Sequence, residues 1–183
     1  MNKKLKTTLE FTKNLFTTGA FKETSRDVEI EICRYLSDQP NQVVVEYGMG
    51  HGNITREILA RISPTSKVYA FEVNKEFCEH VRKEIPDERL IIINDGAENM
   101  KDHVKEEVNL VVGSIPFSFF SKEMGLGILQ DAYDQLANDA YYSQVLYTKF
   151  NFKKFQQIFD ESELKKLKNF PTEYIYHCQK KSD

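Results

Sequence analysis

The sequence predicts an α/β protein: a mostly parallel sheet with helices on both faces, ending in an antiparallel hairpin. Three observations predict it. Short runs rich in Val and Ile alternate with amphipathic runs through most of the chain, as buried parallel strands alternate with crossover helices. A glycine-rich turn breaks the first of those runs. The tail then changes character, to two strand-like runs joined by a tight turn at Pro171, and a hairpin need not be parallel. The 183 residues suit one domain, and 40% hydrophobic against 29% charged residues supply a full core under a solvated surface.

Residues 1–38 read as a helical preface and 39–183 as the wound core. In the preface, Leu5, Leu9 and Phe16 can share a helical face beside Lys3, Lys4, Lys6 and Lys13. An amphipathic helix there would lie on an anionic membrane or fold over the site as a lid. Thr24 and Ser25 can cap a helix carrying Val28, Ile32, Tyr35 and Leu36, with Pro40 beyond its end. The first strand is QVVVEY, which breaks into GMGHGN, and Ile54, Ile58, Leu59 and Ile62 then form a helical stripe. KVYAFEV is strand two, a helix follows over Lys75 to Glu84, RLIIIN is strand three and VNLVVGSI strand four. A helix over Glu123 to Leu136, weakened by Gly125 and Gly127, leads into a fifth strand, YYSQVLYT. LKKLKNF and TEYIYHCQ are the closing strands.

Composition excludes several classes. A net charge of −3 and a pI near 5.9 disfavour a free-standing nucleic-acid binder. Cys33, Cys78 and Cys178 form no CxxC pair and have no His at ligand spacing, which fits reduced structural thiols in the cytoplasm and no metal site. No apolar run approaches the roughly 18 residues of a membrane span, and the basic start lacks a signal peptide's apolar stretch. The expectation is a cytoplasmic protein with optional peripheral contact at the inner membrane surface.

The strongest chemical signal is Glu46-Tyr-Gly48-Met-Gly50-His-Gly52-Asn, placed where a buried strand turns into a helix. Alternating glycines let a ligand approach the backbone closely. A dinucleotide fingerprint needs GxGxxG, but Asn53 stands at its third glycine, and the spacing is GxGxG. Glu72 ends strand two, where an acidic side chain would meet a ribose diol. Glu46 would repel a pyrophosphate and welcome an ammonium and a sulfonium, which favours S-adenosylmethionine over NAD. His51 reads as a polar loop side chain near that cofactor.

These residues resemble the class I S-adenosylmethionine-dependent methyltransferases across nearly the whole chain. The resemblance rests on Glu46 with Gly48, Gly50 and Gly52, on Glu72, on Asn94-Asp95-Gly96-Ala97 and on Gly113-Ser114-Ile115-Pro116-Phe117. It implies a Rossmann-like, seven-stranded sheet whose last strand is antiparallel. It also implies cofactor contacts from Asp95, Ala97 and Gly113. Relatives carry Gly-Asp-Ala after strand three, with the Asp on the adenine amine, whereas this chain reads Asp95-Gly96-Ala97.

Pro116 followed by an aromatic at a strand end fixes an extended backbone with free carbonyls, a socket able to hold an amine against Phe117. The motif resembles the Asn-x-Pro-Tyr/Phe signature of adenine N6-methyltransferases, including the ribosomal RNA adenine dimethylases, with Ser114 replacing the Asn. A closer resemblance is to bacterial phospholipid N-methyltransferases. It runs from Phe16 through Gly19-Ala20 to Ser25-Arg26, then the glycine turn, the Ser114-to-Phe117 site, and Gln144 with Tyr147-Thr148 in changed order. Glu23 stands where a Pro is usual. The resemblance implies an N-methyltransferase on the amine of a phosphatidylethanolamine-type lipid or a small molecule, with Ser114, Pro116, Phe117 and Tyr147 at the acceptor. The alternatives are an adenine N6-methyltransferase on ribosomal RNA and a non-catalytic protein that binds the cofactor.

Overall fold

A computed structural model describes residues 24–169 and 171–182, with Phe119 by its backbone alone. The expected amphipathic helix, and the residues Phe16, Gly19, Ala20 and Glu23, lie outside the described residues.

Seven strands form one sheet in the order β3-β2-β1-β4-β5-β7-β6. They are β1 (Val43–Tyr47), β2 (Lys67–Phe71), β3 (Leu90–Ile93), β4 (Val108–Gly113), β5 (Leu136–Leu146), β6 (Glu161–Leu167) and β7 (Glu173–Gln179). β1 to β5 are parallel, and β7 runs antiparallel to both its neighbours, β5 and β6. The helices are α1 (Arg26–Ile32), α2 (Asn53–Arg61), α3 (Lys75–Glu84), α4 (Met100–His103), α5 (Lys122–Gln135) and α6 (Phe152–Phe155).

Alternation along β1 divides the core. Val43, Val45 and Tyr47 join the face packed by α5 through Ile128, Leu129 and Ala132. Val44 points to the opposite face, where Val28 and Ile32 of α1 and Ile54, Ile58 and Leu59 of α2 cover the sheet. Ser25 caps α1 by accepting from the Val28 N–H, as expected. The helix ends at Ile32, so Tyr35 and Leu36 pack on the core from the following turn. α3 matches its expected span, with Asn74 as its cap.

Two strands differ from expectation. β5 begins at Leu136, five residues before the expected Tyr141, because α5 runs straight into it. Its first stretch carries a register shift against β4 and a left-handed Asp139 (φ +61°), an irregularity that breaks the alternation. β6 covers Glu161–Leu167 instead of starting at Leu164. It is an edge strand, and its charged side chains hide its pairing with β7.

Candidate active site

β1 delivers its end to a loop that only glycine accommodates. Gly48 (φ +80°), Gly50 (φ +53°) and Gly52 (φ +81°) all lie in the left-handed region. A side chain at Gly48 would crowd Ile115 and Ser114 at 3.0 and 3.1 Å, whereas one at Gly50 would meet nothing within 4 Å. The loop is stitched to β2, since the Gly48 and Met49 N–H groups donate to the Phe71 carbonyl at 2.9 and 3.2 Å. His51 is exposed on the rim and meets Phe77 edge-on at 4.5 Å.

Two buried carboxyl groups stand beneath this loop. Glu72 is 5% exposed; Oε2 accepts from the Gly50 N–H (3.0 Å) and Oε1 from the Asn74 N–H (2.8 Å). Burial raises its pKa against the lowering effect of those backbone donors. Glu46 is 1% exposed; Oε2 accepts from the Thr55 hydroxyl at 2.7 Å, while Oε1 is buried with no hydrogen-bond partner among the described residues. Burial, offset in part by Thr55 and reinforced by the charge of Glu72, pushes the Glu46 carboxyl up to about 8. An orphaned oxygen beside an open glycine backbone suits a cationic ligand, so the donor set fits the ammonium and sulfonium of S-adenosylmethionine.

Asp95 stands at the neighbouring strand end, but its oxygens are committed. Oδ1 accepts from the Gly96 N–H and the Asn99 amide, both at 2.8 Å, and Oδ2 lies 2.9 Å from His103 Nε2. Burial opposes these contacts, yet together they hold its pKa below the usual range. Asp95 thus shapes the turn that presents Ala97, which is buried at 6% exposure. Gly113 closes β4, and a Cβ there would collide with the Gln144 carboxamide.

That carboxamide organises the backbone beyond β4. Gln144 is fully buried on β5; Nε2 donates to the Ile115 and Val145 carbonyls (2.9 and 3.0 Å), and Oε1 accepts from Tyr142 (2.8 Å). The Ser114 hydroxyl donates to the Gly48 carbonyl at 2.7 Å, which joins the glycine turn to the acceptor motif. A cleft of about 110 Å³ opens here, lined by Ser114, Ile115, Pro116, Tyr147, Thr148 and Glu173 among others. Tyr147 is 42% exposed at its mouth. The structure places the Phe117 ring elsewhere: it is 1% exposed, packs on Phe155 and Phe120 at 5.2 and 5.8 Å, and supports the motif from the core side.

The site-residue expectations did not include Thr55, which holds Glu46, or Glu173 in the cleft wall. Gln144 was marked only through its likeness to a family pattern. Thr55 carried a readable signal, one helical turn past the glycines and facing back to the strand. Glu173 carried none, because only the antiparallel return of β7 brings it here.

The sheet order and the glycine turn at its strand ends are those of the class I S-adenosylmethionine-dependent methyltransferase fold. No family model matches the chain. An ornithine lipid N-methyltransferase of Singulisphaera acidiphila is 24% identical over 145 residues, covering 75% of this chain and 76% of that protein. An rRNA methyltransferase of Streptomyces thermotolerans is 33% identical over 92 residues, which are 50% of this chain and 29% of that longer protein. Among solved structures, the N-methyltransferase NodS from Bradyrhizobium japonicum superposes with a TM-score of 0.71 at 9% identity, covering 86% of this chain and 96% of that one. A methyltransferase from Streptococcus mutans in complex with SAH gives 0.65 at 17% identity, covering 85% and 99%. At these identities the superpositions show the fold.

Proposed function

We propose that the protein is an S-adenosylmethionine-dependent N-methyltransferase acting on an amine of a phosphatidylethanolamine-type lipid or a small molecule. The observation that carries this reading is the cleft at Ser114-Ile115-Pro116. It is a small cleft of about 110 Å³, and its Ile115 carbonyl and Ser114 hydroxyl are held in place by Gln144 and the Gly48 carbonyl. Likeness to the ornithine lipid enzyme over three quarters of both chains supports it. When bound, the cofactor supplies a methyl on a sulfonium: the acceptor nitrogen's lone pair forms the N–C bond, the C–S pair returns to sulfur, and the methylated ammonium later sheds a proton.

Each residue acts by position. Gly48, Gly50 and Gly52 offer backbone to the cofactor, Glu72 its ribose acceptor, and Glu46 a charge for the ammonium. Ala97, with Asp95 behind it, and Gly113 complete the wall. Ser114, Pro116 and Tyr147 confine the acceptor, and the buried Phe117 keeps their backbone from shifting. No covalent nucleophile is needed, because the methyl donor is already activated.

The test is mass spectrometry of products after incubating protein and cofactor with lipid extract, RNA and a panel of small amines. N-methylated lipid or amine is expected, and methylation confined to RNA refutes the reading. A second reading, adenine N6-methylation of ribosomal RNA, draws on the 33% identity to the Streptomyces enzyme. Among the described residues no helix is long and apolar enough to cross a membrane. For a lipid acceptor we propose peripheral contact at the inner membrane surface through the Lys-rich preface.

A further inference from the structure

Glu173 is the first residue of β7, and the antiparallel pairing that sets Tyr174 opposite Leu146 carries it to the carboxyl end of β5, beside Tyr147. It is 6% exposed, yet it lines the cleft that also holds Ser114 and Pro116. Oε2 accepts from the Asn169 amide at 2.7 Å, and the same amide donates to the Ser25 hydroxyl at 2.8 Å. Since Ser25 caps α1, the carboxylate is braced from outside the cleft. Among the described residues no Lys, Arg or His lies within ion-pair distance of it. Its charge is felt by Tyr147, whose hydroxyl pKa is raised by burial and then by Glu173. A braced, nearly buried carboxylate with no cation among the described residues is expensive to maintain unless a ligand brings one.

We propose that Glu173 is the charge-recognition residue of the acceptor cleft, selecting a cationic alkylamine headgroup and retaining its methylated ammonium products. The inference rests on the amine reading of the site and adds the residue that enforces it. Two consequences follow from the charge. Methyl transfer moves positive charge from sulfur to nitrogen, and a carboxylate beside the nitrogen stabilises the state in which that charge arrives. The same carboxylate also favours the protonated acceptor, so it raises the pH at which the free lone pair becomes available.

The experiment compares the full-length wild type with Glu173→Gln in micelles containing phosphatidylethanolamine, with affinity for S-adenosylhomocysteine measured by calorimetry as the control on folding. Gln keeps the shape and the Asn169 contact while removing the charge. Expected are a KM for the lipid raised roughly tenfold or more, unchanged affinity for S-adenosylhomocysteine, and an ascending limb of the kcat–pH profile displaced to lower pH. A solely structural role would not move that limb downward. Independently of any variant, choline should compete with the lipid on the wild type far better than its uncharged isostere 3,3-dimethylbutanol. If the wild type methylates the lipid but Glu173→Gln leaves KM and the pH limb in place, or if the two competitors act equally, Glu173 does not read charge and the amine function survives. If the wild type methylates RNA and neither lipid nor small amines, the amine reading falls and this inference falls with it.

Discussion

Replacing Glu46 by Gln should uncouple cofactor affinity from pH. In the free protein the Glu46 carboxyl, buried with one oxygen unpartnered, is pushed up to about 8, so at pH 7 roughly nine in ten molecules carry its proton. A ligand bearing an ammonium and a sulfonium favours the carboxylate, and binding at pH 7 should release up to about 0.9 proton from this group. Affinity should then climb by up to about tenfold per pH unit below about 7.5, and flatten near 8 as Glu46 ionises unaided and the ligand's own amine begins to titrate. Glu72, also raised by burial, is the other carboxyl able to contribute a smaller slope. Calorimetry in buffers of different ionisation enthalpy counts the released protons directly. Stability carries the opposite sign from an ordinary ion-paired carboxylate. Because the folded pKa lies above the unfolded value of 4.5, the folded state binds more protons between about 4.5 and 8, so stability falls as pH rises through that window. Glu46→Gln, whose amide oxygen can still accept from Thr55, should flatten both curves. Equal slopes in wild type and variant, or no proton release by the wild type, would refute the placement of the cofactor's cation over Glu46.

Four further outcomes are expected. Glu72→Ala removes the acceptor of the Gly50 and Asn74 N–H groups and should weaken S-adenosylmethionine binding by about 1–3 kcal/mol in calorimetry. Gln144→Leu strands the Ile115 and Val145 carbonyls and the Tyr142 hydroxyl; urea unfolding should show a loss of about 1–3 kcal/mol, and kcat should fall more than cofactor affinity. Deleting residues 1–16 should reduce cosedimentation with anionic vesicles, and equal pelleting of both chains removes the membrane role from that segment. With an alkylamine acceptor, whose pKa is near 10, kcat/KM should rise with pH from neutrality upward, whereas an adenine acceptor is already neutral and should give no such rise from its own titration.

Legibility followed apolar composition. β1, β2 and β4 are almost wholly buried and β3 is a partly exposed edge strand, yet the Val-rich and Ile-rich runs of all four declare them within a residue or two. The glycine turn is a local requirement of the chain: three left-handed positions in five residues leave glycine as the residue that fits, and a reader can find them without knowing the neighbours. β5 and β6 depart from expectation where local signals fail. Leu136 to Asp139 mixes apolar, amide and acidic residues at a register shift, and β6 sets Glu161, Glu163 and Lys165 on its exposed positions, with only Leu164 and Leu167 as apolar residues.

The acceptor side was harder to read for a different reason: its chemistry depends on which way a side chain turns after the strand ends. Ser114 and Phe117 lie three positions apart in one motif, yet the Ser114 hydroxyl turns to the Gly48 carbonyl while the Phe117 ring turns into the core against Phe155. The choice is set by partners far along the chain. Gln144 draws the Ile115 carbonyl toward β5, and the aromatic cluster of Tyr142, Phe155 and Tyr176 makes an apolar socket that an exposed ring could not refuse. Glu173 is the extreme case, since nothing near it in sequence marks it as part of the cleft. Its position follows from β7 running against the rest of the sheet, so that the beginning of the one antiparallel strand lies level with the ends of the parallel ones. The single reversed strand is therefore what gives this fold a side chain from its C-terminal hairpin in the cleft beside Ser114 and Pro116.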